Sequence, residues 1–344
     1  GVFEQASVLN LYDPDRSQTV LHDGSTASWS EFAAFASGLP TSTRLLVIAS
    51  PSSSPTEASL VSALKGRFPA VDWVTYSAAG GHNREAGNEL AYGKAYRSSF
   101  RFEDAAVIVS LDGDFLGADD PNEIANARGY SQSRRVTSGD DSMSRLYVAE
   151  SAFSVTGGMA DHRLTVKSSH VAALAGAIGA GLGLGSSAGS LSDKDQRWVD
   201  ALVGDLNANR GASIVLAGRD QPASVHAACA LINAALQNID RTVILLDTGD
   251  QATPTSDLSD TVSKIEDGAY DAVICLGVNP VYSAPGILDF GSAISSVQTR
   301  IHLGSHVDET AALCNWHIPE AHYLEQWGDG RSFDGTLSVI QPLI

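Results

Sequence analysis

Short apolar runs alternate with amphipathic segments along this chain of 344 residues. Each run is short enough for a buried parallel strand. The predicted strands lie near residues 44–49, 71–76, 105–111, 213–217, 242–247 and 272–277. Between them, the segments carry helical signals, such as the apolar stripe with i, i+3, i+4 spacing over residues 225–236. This alternation is typical of parallel sheets wound with helices, so we predict an α/β fold of two doubly wound, mainly parallel sheet units.

Serines mark the start of two predicted helices. Ser28 stands three residues before Glu31, which is the spacing of a capping box. Ser192 precedes a second amphipathic segment, and Gly211 fits the position after its end. A third helix is predicted from residue 170, because residues 171–185 are mostly Ala, Gly and Leu. At about 15 residues this apolar run is shorter than the roughly 20 needed to span a bilayer.

The length of the chain favours two domains, since single hydrophobic cores rarely grow beyond about 250–300 residues. We predict a lead-in over residues 1–29 that packs on the second unit. The first α/β domain is predicted over residues 30–165 and the second over residues 166–344. This division follows the order of the apolar runs along the chain.

Charge and cysteine content exclude several function classes. The net charge is −18, from 40 acidic and 22 basic residues, which argues against binding to nucleic acid phosphates. The three cysteines, Cys229, Cys275 and Cys314, form no CxxC or Cys/His spacing. An iron–sulfur cluster or zinc finger on this chain is therefore not expected. No signal-peptide pattern and no Gly-x-Ser-x-Gly hydrolase motif are present.

Candidate ligand-binding residues follow the predicted strands, because open α/β sheets bind ligands beyond the carboxyl ends of their strands. The candidate cofactor-binding residues are Asp112, Asp114, Gly218, Arg219, Gly277, Asn279 and Pro280. A further strand end is expected at residues 247–250. None of these segments matches GxGxxG or a P-loop. Two interpretations stay open: a functional or vestigial cleft for a nucleotide-like ligand, or ordinary turns between strands and helices, whose aspartates would repel phosphates.

The C-terminal region is rich in histidine and tryptophan. His302, His306, His317 and His322 lie there, but their spacing does not match a metal motif, and no metal ligand is assigned. Hydrogen-bonded polar side chains at an interface are the competing interpretation. Trp316 and Trp327 either belong to a partner surface or anchor the core, and solvent exposure distinguishes these alternatives.

Longer strings carry a family resemblance. Residues 322–336 (HYLEQWGDGRSFDGT) and residues 3–17 (FEQASVLNLYDPDRS) resemble the B subunit of alternative complex III, a molybdopterin-oxidoreductase-like protein. Further strings that carry it are residues 110–117, 159–164 and 310–319. The resemblance covers essentially the whole chain. It implies the two Rossmann-like central domains of the formate dehydrogenase/DMSO reductase fold, with residues 112–114 and 277–280 at strand ends that face pterin nucleotides.

The resemblance also implies a function. We expect a scaffold portion of a respiratory, quinol-oxidising electron-transfer complex on the periplasmic side of the bacterial inner membrane. No catalytic residue and no redox cofactor are expected on this chain. Iron–sulfur clusters would lie on a half beyond residue 344, and an export signal and first domain would precede residue 2. The partners would be the rest of the polypeptide and other subunits. The alternatives are a molybdenum bis-pterin oxidoreductase with its cofactor between the two units, and a nucleotide-binding module of another kind.

Overall fold

A computed structural model of the chain describes residues 2–79, 82–117, 120–139, 141–185, 189–247 and 258–344. Its helices are α1 Val2–Ala6, α2 Trp29–Gly38, α3 Pro55–Arg67, α4 Asn83–Tyr92, α5 Glu123–Ser133, α6 Val155–Gly158, α7 Val171–Gly181, α8 Asp193–Ala208, α9 Ala223–Ala235, α10 Ser259–Glu266, α11 Pro280–Ser283, α12 Phe290–Ser295 and α13 Glu309–Ala312. Its strands are β1 Val20–His22, β2 Ser25–Ala27, β3 Leu45–Ala49, β4 Val71–Thr75, β5 Arg97–Phe100, β6 Val107–Leu111, β7 Arg145–Glu150, β8 His162–Thr165, β9 Ser213–Ala217, β10 Val243–Leu246, β11 Ala272–Leu276, β12 Thr299–Gly304, β13 Trp316–Pro319, β14 Gly328–Arg331 and β15 Leu337–Ile340.

The chain forms two compact units that do not follow the predicted division at residue 165. Unit 1 consists of residues 81–249 with residues 1–5, and unit 2 consists of residues 6–80 and 250–344. The predicted first domain is interrupted because β3 and β4 belong to unit 2, where β3 pairs in parallel with β11. A local apolar pattern marks a strand but not its partner, which lies here more than 200 residues away, so the division could not be read from strand order.

Unit 1 is built on a sheet with the order β8-β7-β6-β9, and all neighbouring strands are parallel. Helices α7, α8 and α9 cover one face of this sheet, and their apolar side chains pack against those of the strands. Helix α5 covers the other face together with Phe102 and Phe115, whose rings stack. Strands β5 and β10 form a separate antiparallel pair.

Unit 2 is built on a sheet with the order β2-β1-β13-β12-β11-β3-β4. The five strands from β13 to β4 are parallel, and β1 and β2 add antiparallel edges. Helices α10 and α12 pack on one face, and helices α2 and α3 pack on the other. Strands β14 and β15 form a separate antiparallel hairpin. The predicted α/β class with mainly parallel sheets is therefore confirmed.

Local sequence signals place the helix starts. The Ser28 side chain accepts a hydrogen bond from the Glu31 backbone NH, and the Glu31 carboxylate accepts one from the Ser28 backbone NH, which confirms the capping box. Ser192 caps α8 in the predicted manner, through the backbone NH of Asp195. The small-residue helix α7 is also present and largely buried. Within the described ranges, the helices lack the combination of length and apolar character that crossing a membrane requires.

Candidate functional site

The seven candidate residues lie beyond the carboxyl ends of three parallel strands, as predicted, but in two different units. Asp112 and Asp114 follow β6, and Gly218 and Arg219 follow β9 in unit 1. The other three follow β11 in unit 2. The fourth predicted strand end, at residues 247–250, lies outside the described residues from 248 onward.

Each sheet has one position where the chain direction across the sheet reverses, and such positions are where open α/β sheets bind ligands. In unit 1 this switch point lies between β6 and β9, since β6 leads to β7 and β8 on one side and β9 lies on the other. In unit 2 it lies between β3 and β11, since β4 lies beyond β3 and β12 and β13 lie beyond β11. The two switch points differ in the groups that surround them.

Backbone fills the switch point of unit 1. The NH of Gly218 donates to the carbonyl oxygen of Leu111 at 2.9 Å. A Cβ atom on Gly218 would lie 1.9 Å from the carbonyl oxygen of Asp112 and 3.2 Å from the backbone nitrogen of Gly113. The loops after β6 and β9 are therefore in direct contact. Gly218 serves this close approach, which leaves no room for a side chain at this position.

The Asp112 carboxylate closes the same end of the sheet from the side. It accepts hydrogen bonds from the backbone and hydroxyl of Ser151 at 3.0 and 3.1 Å, from the Ser168 hydroxyl at 2.6 Å and from the Gln221 amide at 2.8 Å. Burial by itself raises the pKa of Asp112, but these hydrogen bonds outweigh it and hold the pKa below its ordinary value. Asp112 thus joins three segments of unit 1, at a backbone φ of 59°.

The remaining two unit 1 candidates are also engaged within the chain. One oxygen of Asp114 accepts from the backbone and hydroxyl of Thr156 at 2.8 and 2.6 Å, at the start of α6. Arg219 lies at the surface, 3.6 Å from the carboxylate of Asp220. The four unit 1 candidates therefore surround a closed strand end.

Replacing Asp112 by Asn is expected to lower the free energy of unfolding of unit 1 by about 2 kcal/mol, because hydrogen bonds to a charged acceptor each contribute about 1.5–3 kcal/mol. Asn tolerates the left-handed backbone conformation of this position, so the measured loss of stability reports the removal of the charge and not a change of the backbone. Urea unfolding measures it. Asp220→Asn, which removes a surface carboxylate of the same unit, should stay within about 0.5 kcal/mol of the parent. Equal stability of the two variants would show that Asp112 is not a structural acceptor.

A cleft of about 230 Å³ opens at the switch point of unit 2. Residues that follow β3, β4 and β11 line it: Ser50, Pro51, Tyr76, Ser77, Ala78, Val278, Asn279 and Ser283. Asn279 is the only one of the three unit 2 candidates in the lining. Its side chain accepts from the backbone of Tyr282 at 3.3 Å and donates to Glu309 at 2.7 Å. The side chain therefore shapes the wall of the cleft.

Gly277 and Pro280 hold the loop after β11 in place. Gly277 has a φ of +61°, which favours glycine, and its NH donates to the carbonyl of Leu303 at 2.9 Å. Pro280 is buried at the first position of α11, where its missing NH costs nothing. Both residues act through backbone geometry.

Glu320 is a candidate that the sequence interpretation missed. It follows β13 directly, and both its carboxylate oxygens lie 3.8 Å from the place that a Cβ on Gly277 would take. The Ser50 hydroxyl lies 3.9 Å from the same place. Burial raises the pKa of Glu320 above its ordinary value. The sequence could have indicated Glu320, because it directly follows a strand. The strand over residues 316–319 was not predicted, however, so this position was missed.

A carboxylate of the chain itself occupies the N-terminus of helix α3. Asp329 accepts from the hydroxyl of Ser54, which is the N-cap residue, and from the backbone and hydroxyl of Thr56 at 3.2 and 2.7 Å. These hydrogen bonds lower the pKa of Asp329. Helix N-termini beyond a strand are common phosphate sites, and here an internal anion already takes that position.

The four histidines do not converge on one point. His302 and His317 are buried with their Nδ1 atoms 3.0 Å apart, and Nε2 of His317 lies 2.6 Å from the Ser17 hydroxyl. His306 pairs with Asp13 at 3.2 Å, while Nδ1 of His322 accepts from the Leu324 backbone. Among the described residues, no group of three His, Cys, Asp or Glu side chains is placed to hold a metal ion.

The two tryptophans of the C-terminal region have different environments. Trp316 is 3% exposed and stacks on His22 at a centroid distance of 4.0 Å, in the core of unit 2. Trp327 is 69% exposed, just before β14. The core interpretation therefore holds for Trp316, whereas Trp327 is exposed, as the partner-surface alternative requires.

Comparison with known proteins gives fold neighbours only. No family model matches the sequence, and no curated protein matches it. Acetylene hydratase from Pelobacter acetylenicus superposes with a TM-score of 0.69 and 11% identity over 99% of this chain, which spans only 60% of that chain. A chain of the formyltransferase/hydrolase complex FhcABCD from Methylorubrum extorquens, solved with methylofuran, superposes with a TM-score of 0.62 and 14% identity, over 94% of this chain and 93% of that one.

These neighbours correct the family expectation. The structures that this chain resembles are acetylene hydratase and a formyltransferase/hydrolase complex, and not the B subunit of alternative complex III. Short strings of sequence could not identify these structural neighbours, because the neighbours share the backbone arrangement of this chain at only 11–14% sequence identity. The comparisons therefore establish the fold of this chain as that of these α/β proteins, and nothing further about its activity.

Proposed function

We propose that this chain is a scaffold portion of a multi-chain assembly, with the doubly wound arrangement of molybdopterin-oxidoreductase-like proteins and without a redox cofactor of its own. The observation that carries the proposal is that groups of the chain itself occupy two positions where such a fold binds phosphates, namely the strand end of unit 1 and the N-terminus of α3 in unit 2. The Asp112 carboxylate and the Gly218 contact close the end in unit 1. The Asp329 carboxylate occupies the N-terminus of α3 in unit 2.

A pterin dinucleotide does not fit these residues. Its phosphates need backbone NH groups or cations, and like charges at close range disfavour binding. Both positions instead present carboxylates that already accept hydrogen bonds from the nearby donors. No catalytic step through such a cofactor is derived for this chain.

An enzyme is the competing candidate, and the likeness to acetylene hydratase over 99% of the chain favours it. Metal analysis separates the two functions. We expect the protein purified from its natural source to carry less than about 0.1 molybdenum or tungsten atoms per chain, with no visible absorption bands assigned to this chain. A stoichiometric amount of either metal would overturn the scaffold proposal. The respiratory, quinol-oxidising and periplasmic assignments were implied by the family resemblance and stay untested predictions.

Exposed apolar side chains of the C-terminal region supply a surface for a partner. Trp327, Leu337 and Val339 lie at or next to the hairpin β14–β15, and each is more than half exposed. Leu343 and Ile344 are exposed after it. An isolated two-stranded hairpin is marginally stable in water, so a covering chain would stabilise it. The likeness to a subunit-sized chain of the FhcABCD complex supports a separate polypeptide as the covering chain.

Trp327→Ala is expected to weaken association with the proposed partner chain at least tenfold, while the melting temperature of unit 2 changes by less than about 2 °C. Loss of a large interface aromatic commonly costs about 2 kcal/mol or more of binding, whereas an exposed side chain contributes little to folding. Native mass measurement of the tagged assembly gives the first quantity and calorimetry the second.

Trp29→Ala is the matched control, because Trp29 is also exposed in unit 2 but lies on α2. Its assembly should match that of the parent. A large drop in melting temperature for Trp327→Ala with unchanged assembly would contradict the proposal.

A further inference from the structure

The walls of the unit 2 cleft are rich in hydrogen-bond acceptors. Three hydroxyl groups in the lining donate their protons to backbone carbonyls of the same unit. Ser50 donates to Gly277 at 2.9 Å, Tyr76 to Ser283 at 2.7 Å, and Ser283 to Asn279 at 2.8 Å. Each hydroxyl has one proton, so what these groups can still offer a ligand is oxygen lone pairs.

The charges next to the cleft have the same character. Both carboxylate oxygens of Glu320 lie 3.8 Å, and the Ser50 hydroxyl 3.9 Å, from the place that a Cβ on Gly277 would take. Glu309 accepts a hydrogen bond from the Asn279 side chain. None of the eight lining residues is Lys or Arg. Acceptors and carboxylates together attract groups that donate hydrogen bonds and repel anions.

The size of the cleft limits the ligand. A volume of about 230 Å³ is below the 300–1,000 Å³ of typical drug-sized sites. It corresponds to roughly seven or eight waters at about 30 Å³ each. A small molecule fits, whereas a dinucleotide does not.

We propose that the cleft at the switch point of unit 2 binds a small, phosphate-free molecule that donates hydrogen bonds, namely an amine or a polyol, with Glu320 as the main acceptor. The site goes beyond the scaffold function and does not depend on it. Binding needs no change of the closed strand end in unit 1. It also needs no movement of Asp329, because that carboxylate serves the N-terminus of α3.

Ligand-observed NMR titration of the full chain tests the proposal with three probes: 1,4-diaminobutane, D-ribose and inorganic pyrophosphate. We expect saturable binding of the amine or the sugar at millimolar concentration, and none of pyrophosphate. Glu320→Gln should lower the affinity for the bound probe at least tenfold if the probe is the amine and about threefold if it is the sugar. The stronger effect on the amine follows from the loss of a charge partner.

Two further variants serve as a charge control and as a replacement for Glu320→Gln. Glu266→Gln removes a surface carboxylate on α10 of the same unit and should leave binding unchanged, which excludes a general charge effect. Tyr76→Phe removes a lining oxygen without changing the ring and serves if Glu320→Gln fails to fold. Three outcomes would each overturn the proposal. The first is binding of pyrophosphate in preference to the other probes, and the second is an unchanged affinity in both cleft variants. The third is no saturable binding of the amine or the sugar up to 10 mM, which is on the order of the weakest useful affinity, about 3 kcal/mol.

Discussion

Replacing Gly218 by Ala is expected to destabilise unit 1 by about 3 kcal/mol or more. The new Cβ would lie 1.9 Å from the carbonyl oxygen and 2.7 Å from the carbonyl carbon of Asp112, and neither is a flexible side-chain atom. Overpacking typically costs about 1–3 kcal/mol, and a backbone obstacle belongs at the upper end of that range. Urea unfolding gives the loss, and hydrogen exchange at β6 and β9 locates it.

Gly204→Ala is the matched control for this change. Gly204 lies inside α8 of the same unit, and nothing lies within 4 Å of its Cβ position. Ala is favoured over Gly in a helix interior by about 1 kcal/mol, so this variant should gain stability. Equal stability of Gly218→Ala and the parent would show that the loops after β6 and β9 do not touch, and the closed strand end would then lose its main support.

Acid is expected to destabilise both units between about pH 6.5 and about pH 4. His226 in unit 1 and His317 in unit 2 are 4% and 2% exposed. Burial lowers the pKa of each from 6.5 to about 4, with Arg84 adding to the effect for His226 and His302 for His317. Burial lowers the pKa of His302 as well, although Asp308 acts against it.

The sign follows from the proton balance. Above pH 6.5 these histidines are neutral in both states, and the full stability is present. As the pH falls towards 4, the unfolded chain takes up protons that the folded chain refuses, so the free energy of unfolding decreases. A shift of 6.5 − 4 = 2.5 units corresponds to about 3 kcal/mol per histidine at 1.36 kcal/mol per unit. Glu320 acts in the opposite direction, because its raised pKa favours the protonated folded state.

Urea unfolding from pH 7.5 to pH 4 measures this loss, and His226→Leu should flatten the pH dependence of unit 1. Carboxylates with lowered pKa values, such as Asp205, act mainly below this window. His170→Gln, an exposed histidine of the same unit, should keep the dependence of the parent. A pH profile of His226→Leu that matches the parent would mean that folding does not lower the pKa of His226.

Part of the agreement between the elements predicted from the sequence and the elements of the structure has a local cause. The apolar runs near residues 44–49, 107–111, 213–217 and 272–276 became buried strands because nearly every side chain in them is apolar and the parallel sheets are covered on both faces. The capping box at Ser28 formed because its two hydrogen bonds involve residues three positions apart. The position of the candidate residues at strand ends followed from the same runs.

The sequence by itself therefore determined the α/β class, the central buried strands of both sheets and several helix starts, since these depend on neighbouring residues. Only the tertiary structure decided which strands share a sheet, and it joined β3 with β11 across the domain division that strand order had predicted. It also decided that Asp112 accepts hydrogen bonds from three other segments, that Glu320 lies close to Gly277, and that Trp316 is buried while Trp327 is exposed. The physical reason is the same in each case: burial, strand pairing and the partners of a side chain depend on residues far away in the chain, and local periodicity carries no information about them.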